Sequence, residues 1–212
     1  MQAQRKIIDC YDKTAKNYAK KFIDELQHKH LDRILLRAFA TENKRSGKLI
    51  DLGCGPGQAS RFLNNCGLSD ITGIDLSPEM ISLARQLNPG LHFETGNMLR
   101  LKYRDESFSS AIAFYSIVHF TYGQLKTSLE EIKRILRKDG QFLFSFHVGK
   151  RKVHLNEFLG EQVDIDFHFF DRDRVAQLLE VSGFDIVDLV EREPYQDIEY
   201  PSKRAYIWVK KK

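Results

Sequence analysis

The feature that most constrains this chain is a glycine-rich turn between a short apolar segment and a longer amphipathic one. In the stretch KLIDLGCGPGQAS, the apolar run Lys48–Leu52 is followed by Gly53, Gly55 and Gly57. Glycine adopts positive φ angles at little cost and has no Cβ to keep a ligand away from the backbone. A helix that begins behind the turn adds unpaired amides at its N-terminus. The stretch therefore predicts a strand, a ligand-binding turn and a helix; the alternative is a tight connection without a ligand.

Strand-like and helix-like segments alternate along most of the remaining chain. Strands are predicted over 48–52, 70–75, 91–94, 107–118 and 141–148, and helices over 58–65, 77–88, 124–136 and 172–182. Two last strands, over 184–192 and 204–210, are predicted to form a hairpin-like pair. This alternation is typical of an α/β fold with a doubly wound, mostly parallel sheet, helices on both faces and an antiparallel last strand. Ligands of such sheets bind at the carboxyl ends of the strands, near the point where the strand order reverses.

Two segments fall outside this alternation. Residues 1–44 carry apolar side chains at helical spacing and are predicted to be helical. Residues 149–168 are the least regular stretch and are predicted to form an inserted loop or short helix, either a cap over the site or a mobile loop. The length of 212 residues fits a single domain.

Composition and cysteine usage narrow the class of protein. The chain is 42% hydrophobic and 29% charged with a formal net charge of +4, which is ordinary for a globular protein. Cys10, Cys54 and Cys66 show neither CxxC nor metal-ligand spacing, so we expect reduced thiols, a cytoplasmic location and no metal. The N-terminal segment lacks the apolar region of a signal peptide, and no stretch approaches the roughly 18 apolar residues of a membrane span.

Two carboxylates refine the chemistry of the expected ligand. Asp51 stands just before the turn, and Asp75 ends the next predicted strand. A carboxylate repels a pyrophosphate but attracts an ammonium or sulfonium group, and a carboxylate at a strand end can accept both ribose hydroxyls. The turn also has the spacing G-x-G-x-G, whereas dinucleotide folds have G-x-G-x-x-G. The sequence therefore favours a cationic nucleoside, and an NAD-dependent dehydrogenase is the more distant alternative.

These motifs resemble those of the class I S-adenosylmethionine-dependent methyltransferases. LIDLGCGPGQAS is similar to their first motif, ITGIDLSPEMISLAR to their second, and GNMLRL to their adenine-binding segment. The likeness extends over roughly residues 7–210, with 149–168 poorly matched. It implies a Rossmann-like fold and S-adenosylmethionine as the cofactor, with S-adenosylhomocysteine as the product. It also implies methyl transfer by one-step displacement to an oxygen, nitrogen or carbon atom of a small-molecule acceptor.

The same resemblance implies individual roles at the cofactor. Asp51 would orient the amino group, Asp75 would hold the ribose hydroxyls, and Asn97 stands where many relatives have Asp. The segment YDKTAKNYAKKF resembles a lid helix, whose Tyr11 and Tyr18 would close over the methionine end; ordinary helix packing is the alternative for both. The complete set placed at the cofactor is Tyr11, Tyr18, Asp51, Gly53, Cys54, Gly55, Gly57, Asp75, Leu76, Met80, Asn97, Met98, Tyr115 and Ser116.

Histidines at predicted strand ends are the candidates for a catalytic base. His119 follows the fourth strand and His147 ends the fifth, and both are predicted to be catalytic; His168 is a further candidate. A histidine among apolar residues can also be a structural group, and this alternative stays open for all three.

The polar segment EREPYQDIEYPSKRAY resembles a hairpin of bacterial small-molecule methyltransferases. Tyr195, Glu199 and Arg204 would line the entrance there, or belong to a solvated turn with paired charges.

The type of acceptor is argued mainly by exclusion. No [DNS]-P-P-[YFW] tetrapeptide follows the fourth strand, which disfavours methylation of amino groups on nucleic-acid bases. The prediction is a small-molecule acceptor, no membrane partner, and a monomer or homodimer. Two alternatives remain: a methyltransferase acting on RNA or protein through Lys150–Lys152 and the lysine tail, and a non-catalytic S-adenosylmethionine-binding protein.

Overall fold

A computed structural model describes residues 2–212 as six α-helices, one 3₁₀ turn and nine strands. The helices are α1 (Gln2–Phe22), α2 (His30–Asn43), α3 (Gln58–Asn65), α4 (Pro78–Leu87), α5 (Tyr122–Ile135) and α6 (Arg172–Val181), with the 3₁₀ turn at Glu25–Gln27. The strands are β1 (Leu49–Leu52), β2 (Ile71–Asp75), β3 (His92–Thr95), β4 (Phe108–Phe114), β5 (Leu136–His147), β6 (Lys152–Phe158), β7 (Glu161–His168), β8 (Phe184–Arg192) and β9 (Arg204–Lys211). None of the helices within this range is long and apolar enough to cross a lipid bilayer.

Seven strands form one sheet in the order β3-β2-β1-β4-β5-β9-β8. β1 to β5 are parallel, and β9 is antiparallel to both of its neighbours, β5 and β8. Apolar side chains are buried on both faces of the sheet, in one cluster with α5 and α6 and another with α2 and α3. The predicted α/β fold is therefore confirmed. The strand order reverses between β1 and β4, which is where ligands of such sheets bind.

Local signals explain where the helices begin. Ser77 caps α4 by accepting a hydrogen bond from the backbone amide of Met80 at 3.1 Å, and Pro78 follows at the first helical position. Thr121 and Gln124 form a capping box at the start of α5. These caps set the start of α4 as predicted, and they begin α5 at Tyr122, two residues before the predicted start.

Two predicted strand boundaries are wrong. β4 was expected to extend to residue 118 but ends at Phe114, because Tyr115 has a φ of +55° and leaves the extended conformation. β5 was expected to begin at residue 141 but begins at Leu136, where it already pairs with Phe108 before a shift in register.

The segment 149–168 is neither a loop nor a short helix, as had been predicted. It is an antiparallel hairpin of β6 and β7, separate from the main sheet. Its turn residues Leu159 and Gly160 both have positive φ angles, +52° and +84°. The hairpin lies against α1: Lys13 Nζ donates to the carbonyl oxygen of Gln162 at 3.3 Å, and Asn17 Nδ2 donates to that of Leu159 at 3.0 Å. The hairpin and α1 together cover the carboxyl edge of the sheet.

Candidate active site

Two adjoining cavities lie at the carboxyl edge of the sheet. The larger has a volume of about 550 Å³ and the smaller about 70 Å³. Both are lined by Tyr11, Tyr18, Gly53, Gly55 and Tyr115. The smaller cavity therefore adjoins the larger one along these shared side chains.

The three glycines of the turn have different roles. All have positive φ angles: +72° at Gly53, +52° at Gly55 and +85° at Gly57. A Cβ on Gly53 would lie 2.3 Å from Cβ of Ser116, and one on Gly57 would lie 2.8 Å from Cζ of Phe93, so these positions are closed by packing. A Cβ on Gly55 would meet nothing closer than Tyr18 at 3.8 Å. Gly55 therefore leaves space for a ligand.

Asp51 lies at the end of β1 with its carboxyl group at the larger cavity. It is 2% exposed, and its Oδ2 accepts a hydrogen bond from Ser60 Oγ at 2.6 Å. Burial raises the pKa of Asp51 to about 7, and the negative charge of Asp75 adds to this effect while the hydrogen bond from Ser60 opposes it. A cationic group beside Asp51 would stabilise its charged form. This fits the predicted contact with an amino group.

Asp75 ends β2 and organises the neighbouring turn. Its Oδ2 accepts from the amide of Gly55 at 3.0 Å, and its Oδ1 accepts from the amide of Ser77 at 2.9 Å. Burial raises the pKa of Asp75, although the two amide hydrogen bonds oppose that effect. Each carboxylate oxygen has capacity for another hydrogen bond. The carboxylate lines the smaller cavity and is positioned to hold a diol.

Most residues predicted at the cofactor are brought together here. The smaller cavity is lined by Tyr11, Tyr18, Gly53, Gly55, Asp75, Leu76, Met80, Asn97, Met98, Tyr115 and Ser116, and the larger by Asp51 and Cys54 as well. Gly57 is the exception: it lines neither cavity, because it packs against Phe93 and Asn88. Asn97 Oδ1 accepts from the amide of Leu99 at 2.9 Å, which leaves its Nδ2 to meet an acceptor.

Two buried oxygens at this site have no hydrogen-bond partner among residues 2–212. They are Ser116 Oγ, beside Gly53, and Gln58 Oε1, beside Gly55. Gln58 Nε2 donates to Glu25 Oε1 at 3.0 Å, which fixes the orientation of the amide. Buried acceptors without a donor favour binding of a ligand that supplies one. Gln58 was missed by the sequence analysis, although its place at the start of α3 follows the turn directly.

His119 connects α1 to the hairpin. Its Nδ1 lies 2.7 Å from the carbonyl oxygen of Asp166 and therefore carries the proton, and its Nε2 accepts from the hydroxyl of Tyr11 at 2.8 Å. Burial lowers the pKa of His119 to about 4. The ring is neutral at physiological pH, and both nitrogens are engaged. A role as catalytic base stays a prediction, and it would require Tyr11 to release Nε2.

A buried polar network below the larger cavity was not predicted. Asp32, on α2, accepts from Tyr206 at 2.6 Å, from Tyr115 at 3.1 Å and from Arg192 at 3.2 Å. Arg192 also binds Glu199 through two hydrogen bonds of 2.6 and 2.9 Å. The network holds Tyr115 in its left-handed conformation, which costs on the order of 1–3 kcal/mol.

Glu199 and Arg204, predicted at an entrance, are instead buried in the wall of the larger cavity. Their side chains are 1% and 3% exposed, and Glu199 Oε2 lies 3.7 Å from Arg204 Nε. Tyr195, the third residue of that prediction, accepts a hydrogen bond from the amide of Leu31 at 3.0 Å. The side chains of Glu199 and Arg204 therefore belong to the protein interior, whereas Ile198 and Tyr200 of the same segment stay exposed.

His147 lines the same cavity, whereas His168 lines neither. His147 Nδ1 lies 2.7 Å from Ser202 Oγ. Burial lowers the pKa of His147 to about 3, and the positive charges of Arg204 and Lys29 add to this effect. His147 is thus neutral, and its environment is electropositive.

Residues 49–140 match the methyltransferase domain family. This range contains the glycine turn, both carboxylates and the end of β4. It is a class I methyltransferase domain. The family and fold predicted from the sequence are confirmed, and S-adenosylmethionine is the cofactor of this family. Helix α1 and the β6–β7 hairpin lie outside the matched range, so the family match does not identify the acceptor.

Curated relatives resemble the chain at modest identity. An uncharacterized protein of Methanocaldococcus jannaschii is 27% identical over 206 residues, covering 85% of this chain and 77% of that protein. The demethylmenaquinone methyltransferase of Chlorobaculum parvum is 29% identical over 99 residues, covering 47% of this chain and 40% of that enzyme. The chain spans about half the length of the named methyltransferases that it matches, from 40% to 54%.

One solved structure covers the whole chain. It is the magnesium protoporphyrin IX methyltransferase of Synechocystis with bound S-adenosylmethionine, with a TM-score of 0.75, 15% identity, and coverage of 100% of this chain and 98% of that one. At this identity the likeness establishes the fold alone.

Proposed function

We propose that the chain transfers a methyl group from S-adenosylmethionine to a small-molecule acceptor bound in the larger cavity. One observation carries this proposal: the 550 Å³ cavity is contiguous with the glycine turn and Tyr115, the position predicted to lie beneath the sulfonium. Its volume is that of a small-molecule site. The walls belong to α1, the hairpin and the strand ends, so reactants would be shielded from water.

The residues that would hold the cofactor follow from the contacts above. Asp51 and Gln58 would bind the amino group, Asp75 the ribose, and Asn97 the adenine edge. When bound, S-adenosylmethionine supplies a methyl group made electrophilic by its positively charged sulfur. The protein's contribution is alignment of the acceptor and exclusion of water, which lower the barrier without covalent catalysis. In this proposal His119 is a positioning residue that holds the lid closed.

The charge distribution disfavours the alternative of an RNA or protein substrate. Lys150 and Lys152 are paired with Asp171 at 3.2 Å and Asp166 at 3.1 Å. Lys210 is likewise paired, with Asp139 at 2.9 Å. Such paired lysines attract phosphates weakly. We retain the cytoplasm as the proposed compartment, with Cys10, Cys54 and Cys66 as free thiols.

The proposal is tested by following S-adenosylhomocysteine release from S-adenosylmethionine in the presence of fractionated small metabolites. We expect at least one fraction to stimulate release and to yield a product heavier by one methylene unit. Stimulation by RNA or protein alone would support the second candidate. Cofactor binding without release in any fraction would support a non-catalytic binding protein.

A further inference from the structure

The larger cavity contains a buried guanidinium whose hydrogen-bonding capacity is only partly used. Nη1 of Arg204 donates to the carbonyl oxygen of Tyr200 at 2.7 Å, to Ser202 Oγ at 2.8 Å, and to the carbonyl oxygen of Ser202. Nε is buried and donates to no acceptor within residues 2–212, and Nη2 makes no hydrogen bond in that range either. An arginine stays charged at physiological pH. The unused edge therefore favours an acceptor supplied by a ligand.

The neighbouring carboxylates do not satisfy this edge. Glu199 Oε2 lies 3.7 Å from Arg204 Nε, which is beyond hydrogen-bond distance. Both oxygens of Glu199 already accept from Arg192, at 2.6 and 2.9 Å. Glu25 accepts from Lys29 at 2.5 Å, and Asp32 is occupied in the network described above. The nearby carboxylates thus already accept hydrogen bonds from other groups, whereas the Nε–Nη2 edge of Arg204 has no acceptor among the described residues.

His147 offers a second donor beside Arg204. Ser202 Oγ accepts from Arg204 Nη1, so its own hydrogen is available for His147 Nδ1 at 2.7 Å. A neutral imidazole that accepts at Nδ1 carries its proton on Nε2. His147 Nε2 has no partner within the described chain. The ring of Phe169 lies 5.3 Å from that of His147, so an apolar surface adjoins the donors.

The rest of that apolar surface comes from the hairpin. The hairpin side chains that line the cavity are Val153, Leu155, Phe158 and Phe167, and Phe169 follows directly after β7. Apolar walls with a few convergent polar groups are typical of sites that orient a small ligand.

We propose that the acceptor is an apolar small molecule bearing a carboxylate, which binds the Nε–Nη2 edge of Arg204 and Nε2 of His147. The planar fork of a guanidinium matches the two oxygens of a carboxylate in parallel, charge-assisted hydrogen bonds. The apolar body of the acceptor lies against the hairpin. This inference depends on the proposed function, since it names the substrate class of the same cavity.

The test uses the full chain saturated with S-adenosylhomocysteine and titrated with benzoate, phenylacetate and hexanoate, and with the primary amides of the same acids. We expect the carboxylates to bind at least tenfold more tightly than the amides. Arg204→Lys should reduce this preference at least fivefold because it removes the fork, and His147→Phe at least twofold. Lys152→Gln, on the exposed side of the hairpin, is the matched control and should leave the preference unchanged.

The cofactor titration separates failure of this inference from failure of the proposed function. Three outcomes would overturn the inference while cofactor binding persists. They are equal affinity for acids and amides, no binding of any probe, and a preference for acids over amides that is unchanged in the folded variants. If Arg204→Lys does not fold, the preference of His147→Phe for acids over amides becomes the test of the inference. Failure of the wild-type chain to bind S-adenosylhomocysteine would overturn the proposed function itself.

Discussion

At the residue scale, Asp75 is the side chain on which nucleoside binding should depend most. It is held by the amides of Gly55 and Ser77, so its oxygens are presented in a fixed orientation. Asp75→Asn should weaken S-adenosylhomocysteine binding about 10- to 100-fold, because hydrogen bonds to a charged acceptor contribute roughly 1.5–3 kcal/mol. Calorimetry measures the loss, with circular dichroism to verify folding. Asp70→Asn, an exposed position just before β2 at the opposite end of the strand from Asp75, should bind like wild type; an equal loss there would contradict the assignment.

The buried carboxyl group of Asp51 should make the affinity for S-adenosylhomocysteine depend on pH. Its pKa of about 7 in the ligand-free protein means that the group is charged above this value and neutral below it. Because binding requires both a charged Asp51 and a cationic amino group, affinity for S-adenosylhomocysteine should be highest near pH 8 and fall up to tenfold per unit below about pH 6.5. Titrations in buffers of different ionisation enthalpy should show proton release on binding at pH 6. Asp51→Asn should remove the slope, and a slope that persists would assign it to another group.

Both carboxylates could be proposed as ligand-binding groups from the sequence, because each lies at the end of a predicted strand. Asp51 and Asp75 follow buried strands, and adjacent parallel strands bring their carboxyl ends together. Arg204 could be assigned only to an entrance. Its burial comes from the pairing of β9 with β5, where His147 lies opposite Arg204, so no local sequence pattern predicts it.

At the element scale, the lid is held by contacts of α1 with the core and with the hairpin. Tyr11 donates to His119, and Lys6 pairs with Asp164 at 2.6 Å. Tyr11→Phe leaves His119 Nε2 buried without a donor, which costs on the order of 1–3 kcal/mol. We therefore expect faster hydrogen exchange along α1.

Mass spectrometry of deuterium uptake measures this change. Tyr122→Phe is the matched control, because it also removes one partly buried hydroxyl, which accepts from the amide of Asp171 at 2.9 Å, just before α6, and not from α1. Equal exchange of α1 in wild type and Tyr11→Phe would show that this hydrogen bond does not hold the lid.

The hairpin was the main element that the sequence analysis missed, for two physical reasons. A shift in register between Leu155 and Glu157 interrupts the alternation of apolar and polar residues that marks a strand. The turn places Leu159 and Gly160 at positive φ, where Asn-Gly or Asp-Gly would have been the recognisable signal. The capped helices and the buried parallel strands were predicted, because cap residues and continuous apolar runs mark them in the sequence.

At the scale of the whole molecule, the residues proposed to hold the cofactor and those that line the larger cavity come largely from different parts of the chain. The matched domain over residues 49–140 contains the turn and both carboxylates, and the surrounding elements α1, α2, the hairpin and β9 line the larger cavity. The network of Asp32, Arg192 and Glu199 joins segments up to 160 positions apart. Hydrophobic periodicity predicts the sheet, but it carries no information about such pairs. The residues proposed to hold the cofactor could therefore be named from the sequence, whereas the larger cavity, proposed to hold the acceptor, could be found only in the structure.

The most direct test of the account is calorimetric titration of the wild-type chain at pH 8 with S-adenosylmethionine and, separately, with NAD. The account predicts one S-adenosylmethionine bound per chain and no heat of binding for NAD. Binding of NAD without binding of S-adenosylmethionine would contradict it, because Asp51 beside the turn would then face a diphosphate.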